Sequence, residues 1–179
     1  MKKPSAIIGL CGVSGSGKTK LCRELVETLQ GAGVRCGGFI SPAVFDGGQK
    51  TAIKVRWLED GQERVLMTPA KPDSKTTIGK WQIHPESFAW VAKKLTEMGN
   101  CQAFFCDEIG QLEVLEGKGW AQVLDEVDKR QFDLNVIALR PSLREYFLER
   151  YPEMRMYDPG SPNEHEQALR DVKILFGIN

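Results

Sequence analysis

Ala6-Ile-Ile-Gly-Leu-Cys11, running directly into Gly12-Val13-Ser14-Gly15-Ser16-Gly17-Lys18-Thr19, decides the architecture of this chain. Ala6 to Cys11 is an apolar run bounded by Pro4 and Gly12, which predicts a buried strand. Gly12 to Thr19 matches the pattern G-x-x-x-x-G-K-S/T, and Leu21, Cys22, Leu25, Val26 and Leu29 then recur at helical spacing between Lys18 and Gln30. Strand, glycine-rich loop and helix together are the setting in which that pattern forms a phosphate-binding P-loop, or Walker A motif. The glycines let successive N–H groups turn inward around an anion, and the helix adds the positive end of its dipole. On this reading residues 12–20, ending in Lys20, cradle the phosphates of a nucleoside triphosphate such as ATP or GTP. Lys18 places its ammonium on the β- and γ-phosphates, and the Thr19 hydroxyl ligates magnesium.

Outward from the loop, Val34 to Ile40 predicts a second strand, after which the pattern changes. The turn signals Asp46-Gly47-Gly48 and Glu59-Asp60-Gly61-Gln62 bracket a stretch that alternates through Ile53, Val55 and Trp57. The region around 41–83 therefore predicts antiparallel hairpin structure inserted into an α/β chain. Within it, Thr68 to Thr77 predicts a mobile loop and Lys80 to Ile83 a short strand. Pro85 then suits the first turn of a helix carrying Phe88, Val91, Ala92 and Leu95. Ala103 to Cys106 predicts a strand covered on both faces, and Trp120, Val123, Leu124 and Val127 mark another helix. Leu134 to Leu139 and Met154 to Tyr157 predict two more strands. Ser142 with Glu145, and Asn163 with Glu166, have the spacing of helix-capping pairs. The expected fold is α/β: one domain over 1–179, a mostly parallel central sheet flanked by helices, of the RecA-like P-loop kind.

Bulk properties narrow the function. Lys plus Arg and Asp plus Glu both number 24, so zero net charge gives no support for a nucleic-acid surface. The five cysteines at 11, 22, 36, 101 and 106 contain no Cys-x-x-Cys pair, which points to reduced thiols in the cytoplasm. The opening MKKPSAIIGLCG is basic and then apolar, but it runs into the glycine-rich motif, so no export signal is expected. No stretch approaches the roughly 20 apolar residues of a membrane helix.

A site of this kind needs a carboxylate on the magnesium side, at the carboxyl end of a neighbouring buried strand. Asp107 closes the run Ala103-Phe-Phe-Cys and fills that role. Glu108 follows, placed to take a proton from an attacking water. Arg140, just past Leu139, falls on the same edge, where it can neutralise developing phosphate charge or pair with a nearby acid such as Glu145. Arg144 lies one helical turn later. His84 and His165 lack partners at metal spacing, and Trp57, Trp81, Trp90 and Trp120 read as packing residues. Lys71, Lys75 and Lys80 read as a solvated basic face, with a phosphate-reaching lid as the sharper alternative.

With these residues in place the chain resembles the small nucleoside-triphosphatases grouped with the cancer-related and thermophile-type enzymes, as a divergent member. The resemblance rests on GVSGSGKT, VRCGGFISP, GKW and above all DEIGQLE, and it runs from Gly12 to the last helix. It implies magnesium-dependent hydrolysis of nucleoside triphosphates with loose base selectivity. By position it makes Gly17, Lys18 and Thr19 phosphate and magnesium ligands, Asp107 the metal-side acid and Glu108 the catalytic base. Glu113 becomes a second signature acid. The chain departs from the family pattern at Phe45 and Lys50, where arginines flank the hairpin turn, at Ala52 in place of a glycine, and at Asn163-Glu164 in place of Asn-Arg. Two alternatives stand beside this reading. One is a nucleotide or nucleoside kinase, against which the absence of arginine from 68–78 counts. The other is a nucleotide-dependent accessory protein, for which neither an N-K-x-D motif nor a Cys/His cluster is present.

Overall fold

A computed structural model describes residues 5–110, 122–129 and 131–179. Glu113 and Trp120 lie outside the described residues. The motif at the front builds what its residues dictate: β1 (Ala6–Cys11), the loop, then α1 (Lys18–Gly31). The chain continues through β2 (Cys36–Ile40), β3 (Ala43–Asp46), β4 (Gln49–Trp57), β5 (Glu63–Pro69), β6 (Thr77–Ile78), β7 (Trp81–Ile83) and α2 (Pro85–Glu97). Next come β8 (Ala103–Ile109), α3 (Gln122–Asp128), β9 (Leu134–Leu139), α4 (Arg144–Arg150), β10 (Arg155–Tyr157) and α5 (Pro162–Phe176).

Among the described residues, ten strands form one sheet, ordered β10-β1-β9-β8-β2-β4-β5-β7-β6, with β3 paired to β4. The block from β10 to β2 is parallel throughout. Such strands must bury both faces, and they read as apolar runs for that reason. Ile8 and Leu10 of β1 pack with Leu21, Leu25 and Leu29 of α1 and with Ala168 and Val172 of α5. Ile7 packs on the opposite face with Val91 and Leu95 of α2, Val127 of α3 and Phe147 of α4. The sheet thus carries helices on both sides, as the strand–helix rhythm predicts.

The 41–83 region is more than an inserted hairpin. β4 pairs directly with β2, setting Phe39 opposite Trp57 and Ile40 opposite Arg56. All the antiparallel strands therefore continue the same sheet. The cause is burial: Val55, Trp57 and Leu66 join the cluster that holds Phe39 and Phe104. The 68–77 stretch carries more secondary structure and hydrogen bonding than a bare loop. β5 runs through Pro69, and Ser74 Oγ accepts from Lys71 N and donates to Gln82 Oε1, each at 2.8 Å.

Neither predicted capping pair starts a helix. Ser142 sits inside a 3-10 turn (Pro141–Leu143), and Leu143 occupies the cap of α4 with no side-chain hydrogen bond. In α5 the cap is Ser161, and Asn163 lies in the first turn. Pro141 opens the 3-10 turn that leads into α4, and Pro162 opens α5, because their fixed φ suits a first helical position.

Gly38 holds the two halves of the sheet together. Its φ is +87°, and a Cβ there would sit 2.0 Å from the carbonyl oxygen of Phe105. Gly38→Ala should destabilise the protein by at least about 2 kcal/mol, from a left-handed penalty plus a backbone collision. Gly47, at φ +54° with open space around it, should lose only about 1 kcal/mol on the same change. Urea unfolding of both variants measures the contrast.

Candidate active site

The loop between β1 and α1 is shaped for an anion. Gly15 and Gly17 take φ of +84° and +98°, and no side chain caps the first turn of α1. That leaves backbone N–H groups at a helix start without side-chain acceptors, the arrangement that binds phosphate. Val13, Ser14 and Gly15 are exposed along the crest. Lys18 is 4% exposed and folds back over the loop. Its ammonium donates to the carbonyls of Gly12 at 2.7 Å and Val13 at 2.9 Å. Lys20 points away into solvent and pairs with Glu24 at 3.8 Å, so its side chain is not part of the cradle.

β8 delivers the carboxylates. It does not end at Asp107, as the apolar run suggests, but continues to Ile109. Asp107 pairs with Ala138 of β9 and Ile109 with Leu139, leaving Glu108 in an irregular register between them. A local bulge of this kind re-aims a side chain. Glu108 meets two cations: its Oε2 lies 3.6 Å from Lys18 Nζ, and its Oε1 accepts from Arg140 Nε at 2.7 Å. Arg140 therefore pairs with the neighbouring strand's acid, not with Glu145, and does so from the carboxyl edge of β9.

Asp107 is 1% exposed. Its Oδ2 accepts from the backbone N–H of Ser41 at 3.0 Å, and the Ser41 hydroxyl donates to the Asp107 carbonyl. The Thr19 side chain reaches the same carboxylate. Burial pushes the Asp107 pKa up to about 6, against the opposing effects of the Ser41 N–H, the Thr19 hydroxyl and the Lys18 charge. Oδ1 has no hydrogen-bond partner among the described residues. A buried anionic oxygen left open beside a hydroxyl is a donor set that fits a hard divalent cation, and magnesium takes one or two protein oxygens and completes its shell with phosphate and water. Below this group, Cys22 is fully buried, and its thiol is pushed well above the usual range by burial and by Asp107, which keeps it protonated.

On the other flank, toward β10, an open cavity of about 570 Å³ is lined by Gly12, Val13 and Ser16 of the loop and by Arg144, Asp158 and Glu164 opposite. Asp158-Pro159-Gly160 packs against the loop: a Cβ on Gly17 would lie 3.7 Å from the Pro159 carbonyl.

The chain carrying these elements is similar to known proteins in sequence and in fold. A family model described as NTPase matches residues 7–158. The chain belongs to the NTPase family. Among curated relatives it is 29% identical to the nucleoside-triphosphatase THEP1 of Methanocaldococcus jannaschii over 124 residues, covering 68% of this chain and 71% of that one. It is 30% identical to the THEP1 of Thermofilum pendens over 135 residues, 74% of each. A human cancer-related nucleoside triphosphatase shares the fold at a TM-score of 0.73 and 22% identity, over 96% of this chain and 97% of that one. THEP1 from Aquifex aeolicus does so at 0.63 and 19%, over 93% and 96%. This NTPase is accordingly a nucleoside-triphosphate-hydrolysing enzyme.

Sequence reading of the NTPase finds Lys18, Thr19, Asp107, Glu108 and Arg140, and the structure brings all five to one edge. It misses Ser41 and the Asp158–Gly160 turn. Both follow the carboxyl ends of parallel strands, β2 and β10, so the rule that finds Asp107 and Arg140 also reaches them when applied to every strand. The departures Phe45 and Lys50 face each other across β3 and β4, and Lys50 Nζ sits 6.0 Å from the Phe45 ring and 5.9 Å from that of Trp81. Among the described residues no helix is long and apolar enough to cross a membrane.

The Asp107 shift carries a sign for stability. Its folded pKa of about 6 lies above the ordinary 3.8, so the folded state holds the proton more tightly than the unfolded one. Ionisation inside the fold thus opposes folding as pH rises from about 4 to above 6, by about 3 kcal/mol at most. Asp107→Asn should raise the melting temperature of chelator-treated protein at pH 8, and this gain should vanish toward pH 4. Equal shifts at both pH values would mean that the carboxylate is solvated.

Proposed function

We propose that the enzyme hydrolyses nucleoside 5′-triphosphates, ATP and GTP among them, to the diphosphate and inorganic phosphate in a magnesium-dependent reaction with loose base selectivity. The observation that carries this reading is the convergence of Lys18, Arg140 and Glu108 beside the loop, with Thr19 and Asp107 adjacent. A base and two phosphate-seeking cations share one place.

In this scheme the loop N–H groups and the Lys18 ammonium hold the β- and γ-phosphates, and Lys18 starts from a position already fixed by two carbonyls. Thr19 and Asp107 would hold magnesium, which when bound neutralises charge on the phosphates. Glu108 takes a proton from the attacking water as that water's oxygen bonds to the γ-phosphorus and the bond to the β–γ bridging oxygen breaks. Arg140 anchors Oε1 of Glu108, which leaves Oε2 toward Lys18 and the phosphate. As negative charge shifts toward the leaving diphosphate, Lys18 stabilises it. The five free cysteines support placing this chemistry in the reducing cytoplasm.

Phosphate release measured with several triphosphates, with magnesium and with a chelator, tests the proposal. Lys18→Ala should abolish tight triphosphate binding in calorimetry, and retained micromolar affinity would contradict the assigned role. Glu108→Gln should bind normally and turn over at least about tenfold more slowly. Arg140→Ala should lower kcat with a smaller change in KM, because it frees the base from its anchor while Lys18 still holds the phosphates.

A further inference from the structure

The two flanks of the loop differ in chemistry, and the sheet order fixes which is which. β1 lies between β9 and β10, and the carboxylates of β8 stand beyond β9. Any triphosphate that lies along the loop with its γ-phosphate near Glu108 therefore has its other end directed toward β10. What stands there is the cavity of about 570 Å³, within the size range of small-molecule pockets. Resting on the P-loop reading above, we propose that this cavity holds the nucleoside half of the substrate, with Asp158 and Glu164 accepting hydrogen bonds from the ribose 2′- and 3′-hydroxyls.

Both carboxylates are oriented by the backbone before any ligand arrives. Asp158 Oδ1 accepts from Gly160 N at 2.8 Å, and Glu164 Oε2 accepts from Asp158 N at 2.7 Å. A carboxylate has two oxygens and about four lone-pair sites, so each keeps acceptor capacity on its second oxygen. Hydroxyl donors are their natural partners, and two adjacent acids suit a vicinal diol. The floor of the cavity adds the Ser16 hydroxyl, whose oxygen is buried without a hydrogen-bond partner among the described residues. Val13, Pro141 and Met156 also line it, with Arg144 as the cation among them, and apolar side chains of this kind cover a base ring without reading its edge. Val13 is 66% exposed. Recognition of the sugar and not of the base edge agrees with loose base selectivity. It also gives a use to Glu164, whose acid would repel a phosphate but accepts a hydroxyl.

Hydrolysis of ATP and of 2′,3′-dideoxyATP, with inorganic tripolyphosphate as a competitor, tests this. Wild-type enzyme should show kcat/KM about tenfold lower for the dideoxy compound, the loss expected for removing charge-assisted hydrogen bonds. The Asp158→Ala/Glu164→Ala variant, which removes both acceptors, should treat the two nucleotides alike, through loss with ATP alone, while tripolyphosphate inhibits it as it does the wild type. Equal kcat/KM for ATP and dideoxyATP in the wild type would overturn the inference without any variant, and so would a variant that keeps the wild-type preference for ATP. Failure of the underlying P-loop reading looks different: tripolyphosphate would then inhibit the Lys18→Ala variant's residual hydrolysis as strongly as the wild type's.

Discussion

A carboxylate almost sealed from water lies beneath the phosphate loop, and its charge is only partly met by the chain. Asp107 has the Ser41 N–H on one oxygen and the Thr19 side chain nearby, yet burial still dominates its protonation. Fixing an anion this way is costly, and the rest of the structure is organised around tolerating it. β2 and β8 must run in register to bring Ser41 to Asp107, which is why their backbones meet at Gly38 with no room for a side chain. Just past Asp107 the strand shifts register and aims Glu108 at the loop, where two cations compensate its charge. The site is thus a balance of opposite charges held at one sheet edge, and a polyphosphate with its cation completes it.

The sequence is most informative where one physical cause acts alone. β1, β9 and the span of α1 follow from unbroken apolar runs and helical spacing, and their observed limits fall within a residue of the expected ones. The P-loop is legible because its glycines have a backbone reason to be there. Legibility fails where two causes compete. Ser142 and Asn163 have capping chemistry, but the prolines beside them set the helix starts. The antiparallel strands alternate as hairpins do, and only the tertiary pairing of Phe39 with Trp57 makes them part of the main sheet. Arg140 has two local readings of equal weight in sequence, and its partner proves to be an acid 32 residues away. Ser41 acts through its backbone N–H and through a hydroxyl that donates to the Asp107 carbonyl, and a partner 66 residues away leaves no mark in the local sequence.

The antiparallel extension widens the sheet beyond β2. Its surface is held by cations over aromatic rings: Arg64 lies 5.2 Å and Lys94 5.6 Å from the Trp90 ring, and Lys94 also pairs with Asp60. Such contacts join β5 and the turn before it to α2 by polar side chains with apolar stems, outside the buried Val55, Trp57 and Leu66.

One further property follows from how the sheet ends. A ten-stranded sheet with long bare margins would offer rows of unsatisfied amide and carbonyl groups to any neighbouring chain. Here the strand order ends on β10, three residues long, and on β6, with two, while β3, paired to β4 alone, has four. Strands this short present almost no template for extending the ladder, so the molecule guards itself against edge-to-edge polymerisation by brevity. Lengthening either margin would put at risk the colloidal solubility of a protein whose net charge of zero provides no repulsion between copies.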